Sequence, residues 1–317
     1  MTSKKIFVTG GNGYIGSEIV KKLVERGDSP YLLLRPGSNR ERIKNVLQAC
    51  TIIEGSLVDN SLVSEMVKKI SPDIIFHLAS TGVYSYMDTS NENINKIIDS
   101  NVRGAYNLFF AVKDIGCELF INTGSCFEYG SRNLSFSEED SPRPVNMYGV
   151  AKATGTLMAE MFFRQYNLPI ITLRPFTVYG SGEGPGRFIT TVIKNCYSHQ
   201  NPRLVKEKII RDYIFIDDVV DAFLAVVERG NKVIGETINI STGIGTSIEQ
   251  VARIIMSQTK VLDLKVEKGA FPTRIGEVFS LVGNPKKIQK LIDWRSKFNL
   301  EEGIKKTIED LRINLPV

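Results

Sequence analysis

Residues 6–16 read I-F-V-T-G-G-N-G-Y-I-G, an apolar strand that leads directly into a glycine-rich turn and a helix. Gly10, Gly13 and Gly16 fall where the turn must be tight and where the backbone must approach a pyrophosphate closely. N–H groups at the start of the helix are available to bind the anion. The stretch therefore predicts a dinucleotide-binding turn, which also includes Tyr14 and Ile15.

Short apolar runs alternate with amphipathic stretches through the first half of the chain. The runs are apolar at consecutive positions, as in strands of a parallel sheet that helices cover on both faces. The pattern predicts an α/β fold with a doubly wound parallel sheet of the Rossmann type. Long helices are predicted over residues 93–115 and 147–166. The apolar runs are K-I-F-V-T-G, Y-L-L-L-R, T-I-I-E-G, D-I-I-F-H-L-A and E-L-F-I-N-T-G.

The texture of the sequence changes after Tyr179, where G-S-G-E-G-P-G contains too much glycine for regular structure. A strand and a helix are predicted again from residue 211, with Asp217 and Asp218 as the helix N-cap and first-turn charge. We expect residues 1–179 and about 211–240 to form the dinucleotide-binding domain. Residues from about 180 to 210 and from 241 to 317 should form a smaller, interleaved substrate-binding lobe.

Composition excludes several classes of function. The 317 residues carry a formal charge of +5 that is spread along the chain, so no nucleic-acid or membrane surface is predicted. Four cysteines and two histidines form no metal-ligand pattern, and His77, at the end of an apolar strand, is predicted to be packed in the core. No signal peptide or membrane span is apparent, which predicts a cytoplasmic protein without a bound metal.

The second strand is followed by a cationic segment. Arg35 stands where an acidic residue would bind the ribose 2′-hydroxyl of NAD, and Ser38 and Arg40 follow it. A cation with nearby donors suits the 2′-phosphate of NADP, which predicts a preference for NADP(H) over NAD. The alternative is a solvated loop with ordinary arginines.

A tyrosine and a lysine lie one helical turn apart in M-Y-G-V-A-K, residues 147–152. A tyrosine needs a stabilised phenolate to exchange protons near neutral pH, because its usual pKa is about 10. Lys152 at i+4 shares a helix face with Tyr148, so its ammonium is expected to lower the pKa of the phenol. Beside a dinucleotide-binding turn, the pair is predicted to be catalytic.

Several motifs in the same order make the chain resemble the extended short-chain dehydrogenases/reductases, in particular the NAD(P)-dependent nucleotide-sugar epimerases, dehydratases and reductases. The resemblance spans nearly the whole chain. It rests on T-G-G-N-G-Y-I-G (9–16), H-L-A (77–79), N-V-R-G-A-Y-N-L (101–108), T-G-S-C-F-E-Y-G (123–130), Y-G-V-A-K (148–152), R-P-F-T-V-Y-G (174–180), R-D-Y-I-F-I-D-D-V (211–219) and R-I-G-E-V-F-S-L-V-G-N-P-K-K (274–287).

The resemblance implies a role for each matched position. Tyr148 would exchange a proton with the sugar oxygen, Lys152 would hold the nicotinamide ribose, and Ser125 would bind the reacting oxygen unless it only caps the strand end. Arg211 and Arg274 would grip the substrate diphosphate. The implied cofactor contacts are Gly10, Gly13, Tyr14, Ile15, Gly16, Arg35, Ser38, Arg40, Ser56, Leu57, Leu78, Ala79, Ser80, Asn101, Thr123, Tyr148, Lys152 and Pro175. The implied substrate contacts are Thr81, Tyr84, Cys126, Phe127, Thr177, Arg187, Arg211 and Arg274.

Departures from the family pattern reduce the number of reactions that are expected for this chain. Dehydratases carry acidic residues directly after the serine or threonine, where this chain has Cys126 and Phe127, so a 4,6-dehydratase is not expected. Glu128 comes one position late and should point elsewhere on an alternating segment. Cys126 is interpreted as a buried structural thiol. Thr177 and Ser56 replace residues that usually contact the sugar and the adenine.

We therefore predict NADPH-dependent reduction of a nucleotide-diphosphate 4-keto-6-deoxy sugar. Two alternatives remain open: a nucleotide-sugar 4-epimerase with tightly bound NAD, and a non-catalytic NADP-binding protein. The resemblance also implies a homodimer formed through the two long helices beside the site. The nucleotide base and the sugar are not readable from the sequence.

Overall fold

The computed structural model describes residues 4–82, 88–184, 186–261, 263–273 and 276–314. Its strands are β1 (Ile6–Thr9), β2 (Tyr31–Leu34), β3 (Thr51–Glu54), β4 (Ile74–His77), β5 (Leu119–Thr123), β6 (Ile170–Pro175), β7 (Thr177–Tyr179), β8 (Arg203–Val205), β9 (Ile210–Phe215), β10 (Thr237–Ile240), β11 (Gly245–Ser247), β12 (Glu267–Phe271) and β13 (Ser280–Leu281). Its α-helices are α1 (Tyr14–Glu25), α2 (Asn60–Ile70), α3 (Asn91–Ile98), α4 (Gly104–Ile115), α5 (Met147–Tyr166), α6 (Phe188–Tyr197), α7 (Ile216–Glu228), α8 (Ile248–Thr259), α9 (Lys286–Ile292) and α10 (Leu300–Asn314).

The large sheet has the strand order β3-β2-β1-β4-β5-β6-β10, and all neighbouring strands are parallel. Strands such as Ile74–His77 are buried at every position, as expected for a sheet covered on both faces. The predicted doubly wound Rossmann sheet is confirmed. The carboxyl ends of β1, β4, β5 and β6 therefore lie at one edge, where ligands bind in such folds.

A smaller sheet surrounds β9. The first half of β9 pairs with β11 and β13, and its second half pairs with β7. The strand from residue 211, expected to belong to the dinucleotide-binding domain, pairs within this smaller sheet, and β10 is the strand that joins the large sheet. Both β9 and β10 consist largely of buried residues, such as Tyr213 and Phe215 in β9. The sequence pattern therefore could not show which of the two strands joins the large sheet.

The two long helices beside the site match their predicted positions. Helix α5 begins after Asn146, whose side chain accepts a hydrogen bond from Gly149 N, and ends at Asn167 in the left-handed conformation (φ 54°). The predicted helix over residues 93–115 extends from α3 to α4 and contains a π-helical turn at Asp99–Arg103. No helix among the described residues is both long and apolar enough to cross a membrane.

The start of α7 corrects one prediction. Phe215 occupies the N-cap position, and neither acidic residue caps the helix. Asp217 and Asp218 both lie in the first turn, as predicted, but Asp218 accepts hydrogen bonds from the backbone N–H groups of Lys297 and Phe298. Its carboxylate therefore ties the C-terminal segment to α7, a long-range contact that local sequence does not reveal.

Asp212 on β9 is fully buried and joins three segments around the smaller sheet. Its carboxylate accepts hydrogen bonds from Thr242 N (2.9 Å), Thr242 Oγ1 (2.6 Å), Gly243 N (2.9 Å) and Gly283 N (3.1 Å). Burial raises the pKa of this carboxyl group, and the hydrogen bonds oppose that shift. The loops after β10 and β13 are thus held to β9 by one side chain.

Replacing Asp212 by alanine is expected to lower the free energy of unfolding by about 2–4 kcal/mol, because several buried donors lose their acceptor. Urea unfolding followed by the fluorescence of the single tryptophan, the buried Trp294, measures this change. Asp263→Ala, at a largely exposed position, is the control and should stay within about 0.5 kcal/mol of the wild type. Equal unfolding midpoints for the two variants would contradict the assigned role of Asp212.

Candidate active site

The glycine turn lies at the carboxyl end of β1. Gly10 has φ +72°, and a Cβ there would lie 2.5 Å from Ala79 N, so the position admits only glycine. A Cβ on Gly16 would lie 2.2 Å from Gly10 O. Helix α1 begins after Gly13 without a side-chain cap and has no acidic residue in its first turn. This open helix N-terminus in a glycine-rich turn fits a dinucleotide pyrophosphate.

The segment after β2 is less cationic than the sequence suggests. Arg35 is exposed, but Arg40 forms an ion pair with Glu54. Glu54 ends β3 and pairs in register with Leu34 at the end of β2. The hydroxyl of Ser38 is buried and has no partner among the described residues, so it is available to a ligand. A carboxylate thus lies beside the site proposed for a 2′-phosphate.

The other predicted cofactor contacts surround the same edge of the sheet. Ser56 Oγ accepts a hydrogen bond from Val58 N (3.3 Å), and Leu57 beside it is buried. Leu78 N donates to Thr9 O (3.0 Å), which holds the segment after β4 against β1. The remaining contacts are Ala79 and Ser80 after β4, Thr123 at the end of β5 and Pro175 at the end of β6.

His77 is a buried core residue, as predicted. Thr9 Oγ1 lies 2.8 Å from His77 Nδ1 and also accepts from Ala79 N at 3.3 Å. Burial first, and then the charge of Lys152, lowers the pKa of the imidazole to about 3. The neutral ring shares a hydrogen bond with the Thr9 hydroxyl, which in turn supports the segment that carries Ala79.

Tyr148 is buried near the start of α5, beside Ser125 and Ser80. Burial raises the pKa of its phenol to about 12, while hydrogen bonding with Ser125 and Ser80 lowers it in part. The ring of Phe127 packs edge-on against that of Tyr148, with 5.9 Å between centroids. Tyr148 therefore carries its proton at neutral pH and is a proton donor in this structure.

Lys152 lies one turn further along α5 and donates from Nζ to Thr123 O (2.8 Å). Burial lowers the pKa of its ammonium to about 8, and the charge of Glu128 opposes that shift. The expectation that Lys152 lowers the pKa of Tyr148 is not met, because desolvation dominates both groups. The Thr123 hydroxyl beside this pair is buried and lacks a partner within the described segments, which again suits a bound ligand.

Ser125 begins a short turn after β5, which we call the serine turn (residues 125–128). Its hydroxyl accepts from Phe127 N (3.2 Å) and also acts on Tyr148, so it is both a cap and a site residue. Cys126 is buried, and burial raises the pKa of its thiol to about 12. Cys126 is thus buried, as predicted, and its structural role stays a prediction.

Asn101 lies in the π-helical turn and holds the segment after β4. Its side-chain oxygen accepts from Thr81 N (2.8 Å), and its amide donates to Thr81 O (2.7 Å). It therefore supports the site by fixing Thr81, and both ends of its amide are engaged. Tyr84, Tyr86 and Arg274 lie outside the described residues.

The two described arginines predicted to bind substrate are each paired with a buried carboxylate. Arg211 Nη2 donates to Glu277 Oε1 (2.8 Å), and Arg187 Nε donates to Glu183 Oε1 (2.8 Å). Thr177 on β7 is half-buried and lies opposite Tyr213 in the smaller sheet. To bind a diphosphate, each guanidinium would have to contact the phosphate together with its carboxylate partner, or leave that partner for the phosphate.

A family model described as "NAD dependent epimerase/dehydratase family" matches residues 6–241. The chain belongs to this family. It is 28% identical to the dTDP-D-glucose 4,6-dehydratase of Mus musculus over 98% of this chain and 90% of that protein. No acidic residue follows Ser125 directly, although this relative is named a dehydratase.

Solved structures of the family share the fold. The UDP-glucose 4-epimerase of Thermotoga maritima, solved with UDP-glucose, superposes with a TM-score of 0.88 at 27% identity, and the match covers 98% of this chain and all of that one. The UDP-glucose 4-epimerase of Thermus thermophilus in complex with NAD gives a TM-score of 0.84 at 24% identity, over 97% and 99% of the chains.

Sequence analysis missed one buried ion pair of this epimerase/dehydratase fold. Glu128 was predicted to point elsewhere on an alternating segment, but residues 126–128 form a 3₁₀ turn, and its carboxylate accepts from Ser125 N. Arg174, which the sequence did not single out, binds the same carboxylate at 2.8 Å. The available signal was the glutamate in T-G-S-C-F-E-Y-G (123–130) and the arginine in R-P-F-T-V-Y-G (174–180), but their contact is long-range.

Lys152 gives a pH-dependent stability that the cofactor-free protein can report. Its pKa is about 8 in the fold against 10.5 when unperturbed, so between these values the unfolded chain binds the proton more tightly. Stability relative to Lys152→Met should therefore rise between pH 8 and 10.5, by about 3 kcal/mol at most. Denaturant midpoints of both proteins at pH 7 to 10 measure the difference, and a constant difference would contradict it.

Proposed function

We propose that this protein interconverts the configuration at carbon 4 of a nucleotide-diphosphate sugar, as an NAD-dependent 4-epimerase. The observation that carries the proposal is the grouping of Tyr148 with Ser125 and Lys152 at the sheet edge that also bears the glycine turn. The family description and the UDP-glucose in the Thermotoga maritima structure support the cofactor and the substrate class.

The chain's own residues supply binding and proton transfer. A bound nicotinamide supplies the redox chemistry at carbon 4. Ser125 and Tyr148 would hold the carbon 4 oxygen between their hydroxyl groups, and Tyr148 would exchange one proton with it. Lys152 would hold the ribose, and Phe127 shields the Tyr148 ring from water. In a 4-epimerase, Tyr148 would accept the proton of the carbon 4 hydroxyl in the oxidising half-reaction and return it in the reducing half-reaction. Burial, which favours the protonated phenol, supports the second of these transfers.

The serine turn argues against elimination of water. A 4,6-dehydratase needs an acid and a base beside the sugar, yet Cys126 holds its proton to about pH 12 and is buried. Glu128 is engaged by Ser125 N and Arg174, so it is not available as a base. The similarity to a named dehydratase is therefore assigned to shared ancestry and fold.

The ion pair between Arg40 and Glu54 supports NAD over the NADP expected from the sequence. Because Arg40 is paired with Glu54, the pair offers no net positive charge to a 2′-phosphate at the end of β2. Arg35 remains exposed there, and it favours the second candidate, a reductase that draws on NADPH. The protonated state of Tyr148 also suits reduction, since a keto oxygen needs a donor.

One experiment separates these candidates. Nucleotide released on denaturation should be NAD at about one per chain, and incubation with UDP-glucose or dTDP-glucose should give the 4-epimer. Tyr148→Phe should lower kcat at least about 100-fold, with NAD retained. A protein that purifies empty, prefers NADPH and consumes it with a 4-keto-6-deoxy sugar is a reductase. Cofactor binding without turnover of any nucleotide sugar would favour the non-catalytic alternative.

An apolar surface on α4 and α5 supports a homodimer. Tyr106 and Phe110 on α4, and Leu157, Met161 and Tyr166 on α5, are each 38–56% exposed. The rings of Tyr106 and Phe110 lie 5.7 Å apart. Apolar surface of this kind marks an association site on a soluble protein. We propose that a second copy covers it.

Leu157→Glu combined with Met161→Glu is expected to convert the dimer to a monomer, because four charges would face one another across a two-fold interface. Light scattering coupled to size-exclusion chromatography measures the mass. Leu134→Glu, at a 74% exposed position away from α4 and α5, is the control and should remain dimeric. A monomeric wild type would contradict the proposed interface.

A further inference from the structure

The serine turn is closed by two reciprocal hydrogen bonds. Ser125 Oγ accepts from Phe127 N (3.2 Å), and Glu128 Oε1 accepts from Ser125 N (2.8 Å). The arrangement is a capping box on the 3₁₀ turn at Cys126–Glu128. The direction of the Ser125 hydroxyl therefore depends on where the Glu128 carboxylate is held.

The position of that carboxylate is determined from outside the turn. The Glu128 side chain is fully buried, and its Oε2 accepts from both Nε and Nη2 of Arg174 on β6, at 2.8 Å each. Arg174 Nη1 donates to Tyr129 Oη (2.7 Å), which donates to Asn239 on β10 (2.8 Å). Strand β6 and the edge strand β10 thus fix the glutamate.

Gly124 gives this arrangement the space it needs. A Cβ at Gly124 would lie 2.6 Å from Glu128 Oε1 and 2.9 Å from Arg174 Cγ. The carboxylate therefore lies directly against the backbone that precedes Ser125. A side chain there would displace the carboxylate from Ser125 N without changing any charge.

We propose that Glu128 is a positioning residue for Ser125 in the reaction, with Arg174 fixing the carboxylate that holds the serine turn beside Tyr148. The proposal rests on the proposed function, in which Ser125 binds the carbon 4 oxygen. A carboxylate gripped through two nitrogens cannot rotate, and its charge-assisted bond to Ser125 N is stronger than a neutral one. The substrate oxygen then meets a preoriented hydroxyl.

Two double variants separate the loss of the hydrogen-bond acceptor for Ser125 N from the loss of the Glu128 charge. Glu128→Gln with Arg174→Met removes both charges and keeps an oxygen for Ser125 N. Glu128→Leu with Arg174→Met removes both charges and the acceptor. Neutral replacement of a whole buried pair is better tolerated than loss of one partner, so both should fold. Gly124→Ala displaces the carboxylate with the charges intact and carries the test if the leucine variant does not fold.

The glutamine variant keeps the acceptor for Ser125 N but loses the grip of Arg174, so its kcat should lie between those of the wild type and the leucine variant. The leucine variant and Gly124→Ala should lose about 10- to 100-fold in kcat, while KM and the dissociation constant for NAD stay within about twofold. Amide hydrogen exchange of the peptide spanning residues 120–130 should accelerate in these two variants alone, because the Ser125 and Phe127 N–H groups lose protection.

Equal kcat in the glutamine and leucine variants would overturn the positioning role, as would a Gly124→Ala variant with wild-type kcat. A wild type that turns over no nucleotide sugar defeats the proposed function separately. In that case amide exchange still tests whether Glu128 holds the serine turn in place. Faster exchange in the leucine variant would support this role of Glu128, and unchanged exchange would overturn it.

Discussion

Gly10 packs against the backbone that follows β4 at a distance that no side chain permits. Because β1 and β4 are neighbours in the sheet, this contact brings the glycine turn beside the segment that carries Ala79 and Ser80. The next strands, β5 and β6, then place Ser125 and Pro175 at the same edge. The candidate site is assembled from adjacent strand ends, so its geometry depends on that one close approach.

Buried polar groups fix the geometry of the candidate site. His77, which contacts Thr9, is neutral because its pKa is lowered to about 3. Lys152 donates to Thr123 O, and the pKa of its ammonium is lowered to about 8. Glu128 keeps a carboxylate in the core because Arg174 lies against it. Each of these groups is costly to bury alone and is matched by one specific partner. Such pairing leaves few alternative arrangements for the side chains that face substrate.

Local pattern was enough for most of the elements and for the parallel, doubly wound character of the large sheet. The glycine turn, the boundaries of α5 and the position of Tyr148 and Lys152 follow from spacing and capping within a few residues. What failed depends on contacts between distant segments. The pairing of β9, the partners of Asp218 and the contact of Glu128 with Arg174 involve residues about 33 to 80 positions away.

The Tyr148 pKa was mispredicted for a different reason. A lysine one turn away suggests a stabilised phenolate, but the effect of a charge competes with desolvation of both groups. Burial is a property of the whole fold, and here it dominates. Helical spacing therefore predicts which groups are neighbours and leaves their protonation to the surroundings.

The position of β10 bears on how the chain emerges during synthesis. This strand, Thr237–Ile240, completes the large sheet beside β6, yet β7, β8 and β9 and the helices α6 and α7 come between the two in the chain. Until residue 240 has been made, about three quarters of the 317, β6 presents an unpaired edge. The large sheet therefore cannot be completed during synthesis until β7, β8 and β9 have been made.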